Sequence, residues 1–248
     1  MTGALAALAF VPGLAIGSFL NVVAARLPAR VSIVAPRSAC PSCGHVIAWY
    51  DNIPVLSYLA LRGRCRSCRT SIPLKYPLVE LTTAALVSAC ILAFGFTPDA
   101  LVSAVFCGAL VVISVTDIER RIIPNRVVLP AAAFVLAGRT AIHPSPVWAI
   151  AAFAGAFFLL LAALAYPGGL GMGDVKLALL LGAGLGTALP VAVMIGFLTA
   201  LVPATVLLAR HGGAARKMAV PLGPFLALGG VVALFAGPAI VHAYLGLA

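Results

Sequence analysis

Runs of apolar residues about twenty long recur along the chain, separated by polar segments, and no other feature limits its fold so tightly. They fall at roughly 3–23, 77–96, 100–116, 127–141, 147–166, 174–188, from a proline break at Pro190 to 209, and 219–245. Wound as a helix, about 20 such residues match the ~30 Å hydrocarbon core of a bilayer. The spacing therefore predicts an all-α polytopic membrane protein with about eight transmembrane helices. At 63% hydrophobic and 9% charged over 248 residues, the chain also lacks the polar surface to cover a soluble globule. It shows no convincing internal repeat, low-complexity tail or coiled-coil heptad.

The excess of 16 Lys+Arg over 6 Asp+Glu would suit nucleic acid if it formed one patch, but it lies in short clusters between the apolar runs. That is the positive-inside pattern of a protein whose partner is membrane lipid, and nucleic acid is not expected. Met1-Thr2-Gly3 carries no basic residue ahead of the first run, whereas Arg26 and Arg30 follow it. This order predicts a retained helix with its N-terminus outside rather than a cleaved signal. Alternating crossings then put residues 26–75, 120–126, Lys176 and 210–217 at the inner side and leave Arg139 outside, a 15 to 1 division of the 16 basic residues. The expected location is the bacterial cytoplasmic (inner) membrane.

Hydrophobicity drops over 24–75, where prolines and basic residues gather. The chain thus divides into a first helix (1–23), a small cytoplasmic subdomain inserted after it (24–75) and a membrane domain (76–248). Cys40-Pro41-Ser42-Cys43 and Cys65-Arg66-Ser67-Cys68 are two C-x2-C knuckles separated by 21 residues, the design of a zinc ribbon. Four thiolates close a tetrahedral site with no open position, so the zinc is expected to be structural. Two disulfides are the plainer alternative, disfavoured by a reducing cytoplasm; a thiol redox pair suits this double spacing less well than a metal. Arg37, Arg62, Arg64, Arg66 and Arg69 offset the charge of four thiolates around one dication. His45 reads as an ordinary polar neighbour, and Cys90 and Cys107, each alone in a span, as small buried side chains.

Two acids remain. Asp174 opens an apolar run within Gly171-Met172-Gly173-Asp174, and Asp117 closes another. A carboxylate at the membrane edge loses hydration and is kept where it meets a substrate, a proton path or a partner charge. Asp174 has an equally good local explanation as a helix cap. Asp117 does not, because it ends its helix where the dipole disfavours an anion, although Arg120 and Arg121 lie close by in sequence. Two crossings separate the acids, so both return to one face. Two carboxyl groups held close in a poorly hydrated site divide the roles of acid and base, as aspartyl proteolysis requires. Gly171 and Gly173 remove side chains where a substrate backbone or a facing helix comes near; their plainer role is a flexible turn. Lys176 points to another helix face than Asp174 and reads as an interfacial anchor. The chain has neither H-E-x-x-H nor G-x-S-x-G. A proton-coupled transporter using the same acids, and a non-enzymatic zinc-bearing scaffold, are the rival readings.

The order of motifs resembles the bacterial type IV prepilin peptidases, membrane aspartyl proteases of the GxGD class. The strings are Gly17-Ser18-Phe19-Leu20-Asn21-Val22-Val23 with Arg26-Leu27-Pro28, the double cysteine knuckle, Asn52-Ile53-Pro54-Val55-Leu56-Ser57-Tyr58, Tyr76-Pro77-Leu78-Val79-Glu80, Asp117 with Ile123-Pro124-Asn125, and residues 171–177. The resemblance implies cleavage of prepilin and pseudopilin leaders after the glycine that precedes the hydrophobic helix, with Asp117 and Asp174 as the catalytic pair and 76–248 as the protease domain. It also implies methylation of the new amine from S-adenosyl-L-methionine. No cofactor motif marks where that donor binds; Glu80 and Lys75 are the polar candidates the resemblance suggests, and Glu80 equally suits orienting the base of the second span.

Overall fold

The structure, a computed structural model, describes residues 2–165, 170–212 and 220–246. Its long helices follow the apolar runs: α1 Thr2–Arg26, α3 Lys75–Phe94, α4 Pro98–Arg120, α5 Asn125–Ile142, α6 Val147–Ala165, α7 Met172–Leu185, α8 Leu189–His211 and α9 Gly223–Leu245, with a short α2, Leu56–Ala60, between the first two. Six stretches are long and apolar enough to cross a membrane, one of them being α7 and α8 taken together as Met172–His211. The eighth long helix, α5, is the least uniformly apolar, since it carries Arg126 and Arg139. The chain sorts into two compact units, Met1–Ala100 and Leu101–Ala248, and the boundary falls in the first turn of α4.

In the first unit α1 and α3 pack through small residues. Gly13 and Gly17 lie four apart on one face of α1, and a Cβ on them would meet Ala84 Cα at 2.7 Å and Glu80 Cα at 2.6 Å. In a membrane, close backbone approach of this kind replaces the hydrophobic drive that water supplies to soluble helices. Hydrogen bonds tie both ends of the pair: Ser88 Oγ donates to the Ala6 carbonyl at 3.0 Å and Asn21 Nδ2 to the Tyr76 carbonyl at 3.1 Å. Between these helices lie the two cysteine knuckles and a 3₁₀ turn, Trp49–Asn52.

In the second unit α7 is the core. Leu177, Ala178, Leu180, Leu181 and Ala183 are all buried, so the helix is enclosed on every side. Gly182 lets α6 lie directly on it, because a Cβ there would come within 2.3 Å of the Ala151 carbonyl oxygen. Fourteen residues give α7 a length of only about 21 Å. It ends where Gly186 turns to φ 55° and a 3₁₀ turn, Gly186–Ala188, redirects the chain. The break therefore falls at Gly186 rather than at Pro190, which sits in the first turn of α8, where its missing N–H leaves no bond unmade. Val128, Ala132, Val135 and Arg139 form the buried stripe of α5, and Arg139 ends it by donating to Ser103 Oγ at 2.9 Å beneath the Trp148 ring.

Candidate functional site

One end of the second unit carries Asp117, Asp174 and Lys176. Four-residue turns join α4 to α5 and α5 to α6, so these helices alternate in direction, and the end of α4 shares a rim with the starts of α5 and α7. Contacts confirm this: a Cβ on Gly173 would lie 3.0 Å from Ile123 Cβ, and Lys176 Nζ donates to Asn125 Oδ1 at 2.8 Å. Lys176 thus pins two helix starts and does not pair with Asp174.

Asp174 is the third residue of α7, and its Oδ2 accepts the Gly171 N–H at 3.1 Å, satisfying an amide that the first helical turn cannot. Asp117, 7% exposed, lies one turn before the end of α4. Its Oδ2 accepts the N–H of Gly223, first residue of α9, at 2.9 Å. The anion disfavoured by its own helix dipole is therefore placed at the favourable end of another. Asp117 stands close enough to act electrostatically on Asp174, and Arg121 on Asp117. Gly223 is the member of this rim that sequence reasoning missed; the signal open to it was Gly223-Pro224, a glycine and a proline opening a helix.

The cysteine subdomain repeats one device twice. Cys40 N–H bonds the His45 carbonyl and Gly44 N–H the Cys40 carbonyl; 25 residues on, Cys65 bonds Thr70 and Arg69 bonds Cys65 in the same way. Short antiparallel bridges, Ala39 with Val46 and Arg64 with Ser71, flank the two turns. The left-handed position that Gly44 fills at φ 71° is filled by Arg69 at φ 60° in the second copy. The knuckles are thus a local structural repeat too short and too diverged to stand out in the sequence.

The Sγ atoms of Cys40, Cys43, Cys65 and Cys68 all lie within 4.8 Å of one another, and Cys40 to Cys68 is 3.7 Å. A tetrahedron with bonds of ~2.3 Å has an edge of about 3.8 Å, so the donor set fits a zinc-sized ion. None of the four is in a disulfide. Thr70, through its hydroxyl and then its amide, holds the Cys68 thiol at about 6, and the amides of Cys43 and Ser42 lower Cys40. Cys43 moves the opposite way, to about 11: the His45 amide favours its thiolate, but desolvation and the neighbouring thiols prevail. Four sulfurs this close do not all ionise without a cation among them. The second knuckle is clipped to the 3₁₀ turn by Arg66, which grips Asp51 with two bonds, Nε to Oδ2 at 2.7 Å and a second nitrogen to Oδ1. This pairing holds the Asp51 carboxyl below its ordinary value.

Beside the knuckles the first unit has an open cavity of about 380 Å³ whose lining includes Asn21, Arg26, Tyr58, Tyr76 and Glu80. Glu80 is 8% exposed, and its Oε2 accepts the Val55 N–H at 2.8 Å. It thereby supports a β-branched residue at φ 61°, a conformation such side chains rarely adopt. Lys75 lies over the Tyr76 ring, 5.0 Å from its centre.

Helices of membrane-spanning length, with a four-thiol subdomain in one unit and a rim carrying two carboxylates in the other, define a multi-pass membrane protein. Residues 11–94 match the model of the bacterial peptidase A24 N-terminal domain and residues 104–209 that of the type IV leader peptidase family. The chain is 40% identical to a prepilin leader peptidase/N-methyltransferase of Burkholderia pseudomallei (strain 1026b), over 95% of this chain and 87% of that protein. It is 36% identical to the Bacillus subtilis (strain 168) protein of the same name (96% and 97%), and 35% identical to that of Pseudomonas aeruginosa PAO1 (95% and 92%). The chain belongs to the type IV leader peptidase family. No solved structure matches it.

Proposed function

We propose that this protein cleaves the leader of type IV prepilins and pseudopilins after its terminal glycine, at the cytoplasmic face of the inner membrane, and methylates the amine so exposed. The observation that carries the reading is that Asp117 and Asp174 lie on one rim of the second unit, each with one carboxylate oxygen tied to a glycine amide. Asp117 and Asp174 bind the attacking water between them. One carboxylate takes its proton as the water adds to the peptide carbonyl, the protonated partner supports the oxyanion, and return of the proton expels the amine. A prepilin, with a charged leader joined to an apolar helix, carries its scissile bond at the same depth as these acids.

For the second reaction the reading turns to the first unit, where Glu80 lines a cavity in a segment apart from the peptidase match that holds both acids. The cavity beside Glu80 is within the size range of small-molecule sites. S-adenosyl-L-methionine, when bound, supplies an electrophilic methyl group. Glu80, with one oxygen held by Val55, and Asn21, Tyr58 and Tyr76 are the groups available to orient the donor and the incoming amine. Cys40, Cys43, Cys65 and Cys68 would hold a structural zinc, leaving it no open position.

Purified protein incubated with a prepilin and isotopically labelled methyl donor is expected to yield a shortened, methylated pilin by mass spectrometry. Asp117→Asn and Asp174→Asn are each expected to leave a folded membrane protein with cleavage reduced at least about 10³-fold. Cleavage retained in either variant would remove the dyad. Proton transport without any shortened pilin would favour the transporter reading of the same acids.

A further inference from the structure

Asp117 is buried beside the last turn of α4, whose outward-facing carbonyls repel a carboxylate. It is held there by a residue 106 positions away: Gly223 donates its N–H to Asp117 Oδ2 at 2.9 Å. As the first residue of α9, Gly223 has no carbonyl inside its own helix to receive that N–H, and Pro224 after it has no N–H to offer. The fit also requires a missing side chain. A Cβ on Gly223 would stand 2.7 Å from Asp117 Oδ2, 3.1 Å from Cγ and 3.2 Å from Cβ.

We propose that Gly223 is a positioning residue for peptide cleavage: its N–H holds Oδ2 of Asp117 and its bare Cα leaves room for that carboxylate, so that Oδ1 is the oxygen presented to water. The proposal rests on the reading of Asp117 as catalytic. Gly171 does the same for Asp174 from within one turn of chain, through its N–H to Asp174 Oδ2. Both acids are thus oriented by backbone amides, whose direction does not change with side-chain rotamer.

The test is Gly223→Ala in the full-length protein, set against Gly196→Ala. Gly196 lies on α8, and a Cβ there would press on α9 at Leu226, one turn past Gly223, 2.8 Å from Cδ2 and 3.0 Å from Cα, with neither acid among its nearest atoms. Gly223→Ala is expected to lower kcat for prepilin cleavage about 100-fold with KM within about twofold, since small misplacements of a reacting group cost on that order. Gly196→Ala is expected to keep kcat within about threefold. Equal losses in the two variants, or a full kcat in Gly223→Ala while Asp117→Asn is inactive, would overturn the positioning role and leave the dyad standing. Cleavage retained in Asp117→Asn would defeat both. If Gly223→Ala does not accumulate, hydrogen exchange decides: the Gly223 amide is expected to exchange at least about tenfold faster in Asp117→Ala than in the parent. An unchanged rate would overturn the proposal.

Discussion

Gly173 meets a neighbouring side chain before it meets any substrate. A Cβ at this position would lie 3.0 Å from Ile123 Cβ and 3.2 Å from its Cγ1, so the missing side chain sets how closely the start of α7 approaches the turn after α4. Gly173→Ala is therefore expected to destabilise the second unit by about 1–3 kcal/mol, the ordinary cost of overpacking, read as a lower thermal midpoint in detergent. An unchanged midpoint with lost cleavage would move this glycine's role to the substrate. The position of the two acids at the edges of apolar runs was legible in the sequence, where a carboxylate is costly and must be explained. The partner of Asp117 was not. From the sequence Asp117 faces only the unfavourable end of its own helix, and nothing local to residue 117 tells which of the later helix starts is folded against it.

At the scale of elements, hydrophobic length located the eight long helices well, since each apolar run must either span or be buried. Their ends were less legible. The α4 helix runs on past Asp117 to Arg120, because the polar turn that follows needs no earlier stop, and α7 stops at Gly186, where the backbone enters the left-handed region, ahead of the proline. The knuckles show the reverse: the four cysteines were plain from spacing, but not the repeated backbone turn that aims each pair, with Arg69 taking the place of a glycine. Because the sulfurs already stand within 4.8 Å, the cluster is expected to bind about one zinc per chain, measured by elemental analysis. Cys40→Ser removes a donor 3.7 Å from Cys68 Sγ and is expected to lower that content severalfold. A variant that kept its full zinc would contradict the assignment.

For the whole molecule the decisive quantity is parity. The α5 and α6 helices carry the chain away from the rim at Asp117 and back to Asp174, and the contact of Gly173 with Ile123 closes that circuit in the fold itself. The proposed cytoplasmic placement of this rim rests on charge: Lys and Arg crowd 26–75, 120–126 and 210–217, whereas the turns at 95–97 and 143–146 carry neither. A cation held on the cytoplasmic side during insertion fixes such a pattern, and a prepilin leader, itself basic, is retained on that side by the same rule. Single cysteines placed at the exposed Thr97 and His143 are expected to react with a membrane-impermeant maleimide in intact cells, above the background of the parent chain. Ser67→Cys, in the exposed second knuckle, is expected to react only after the membrane is opened. The opposite pattern would place both aspartates outside, beyond reach of an uncleaved leader, and peptide cleavage would lose its substrate even with the dyad intact.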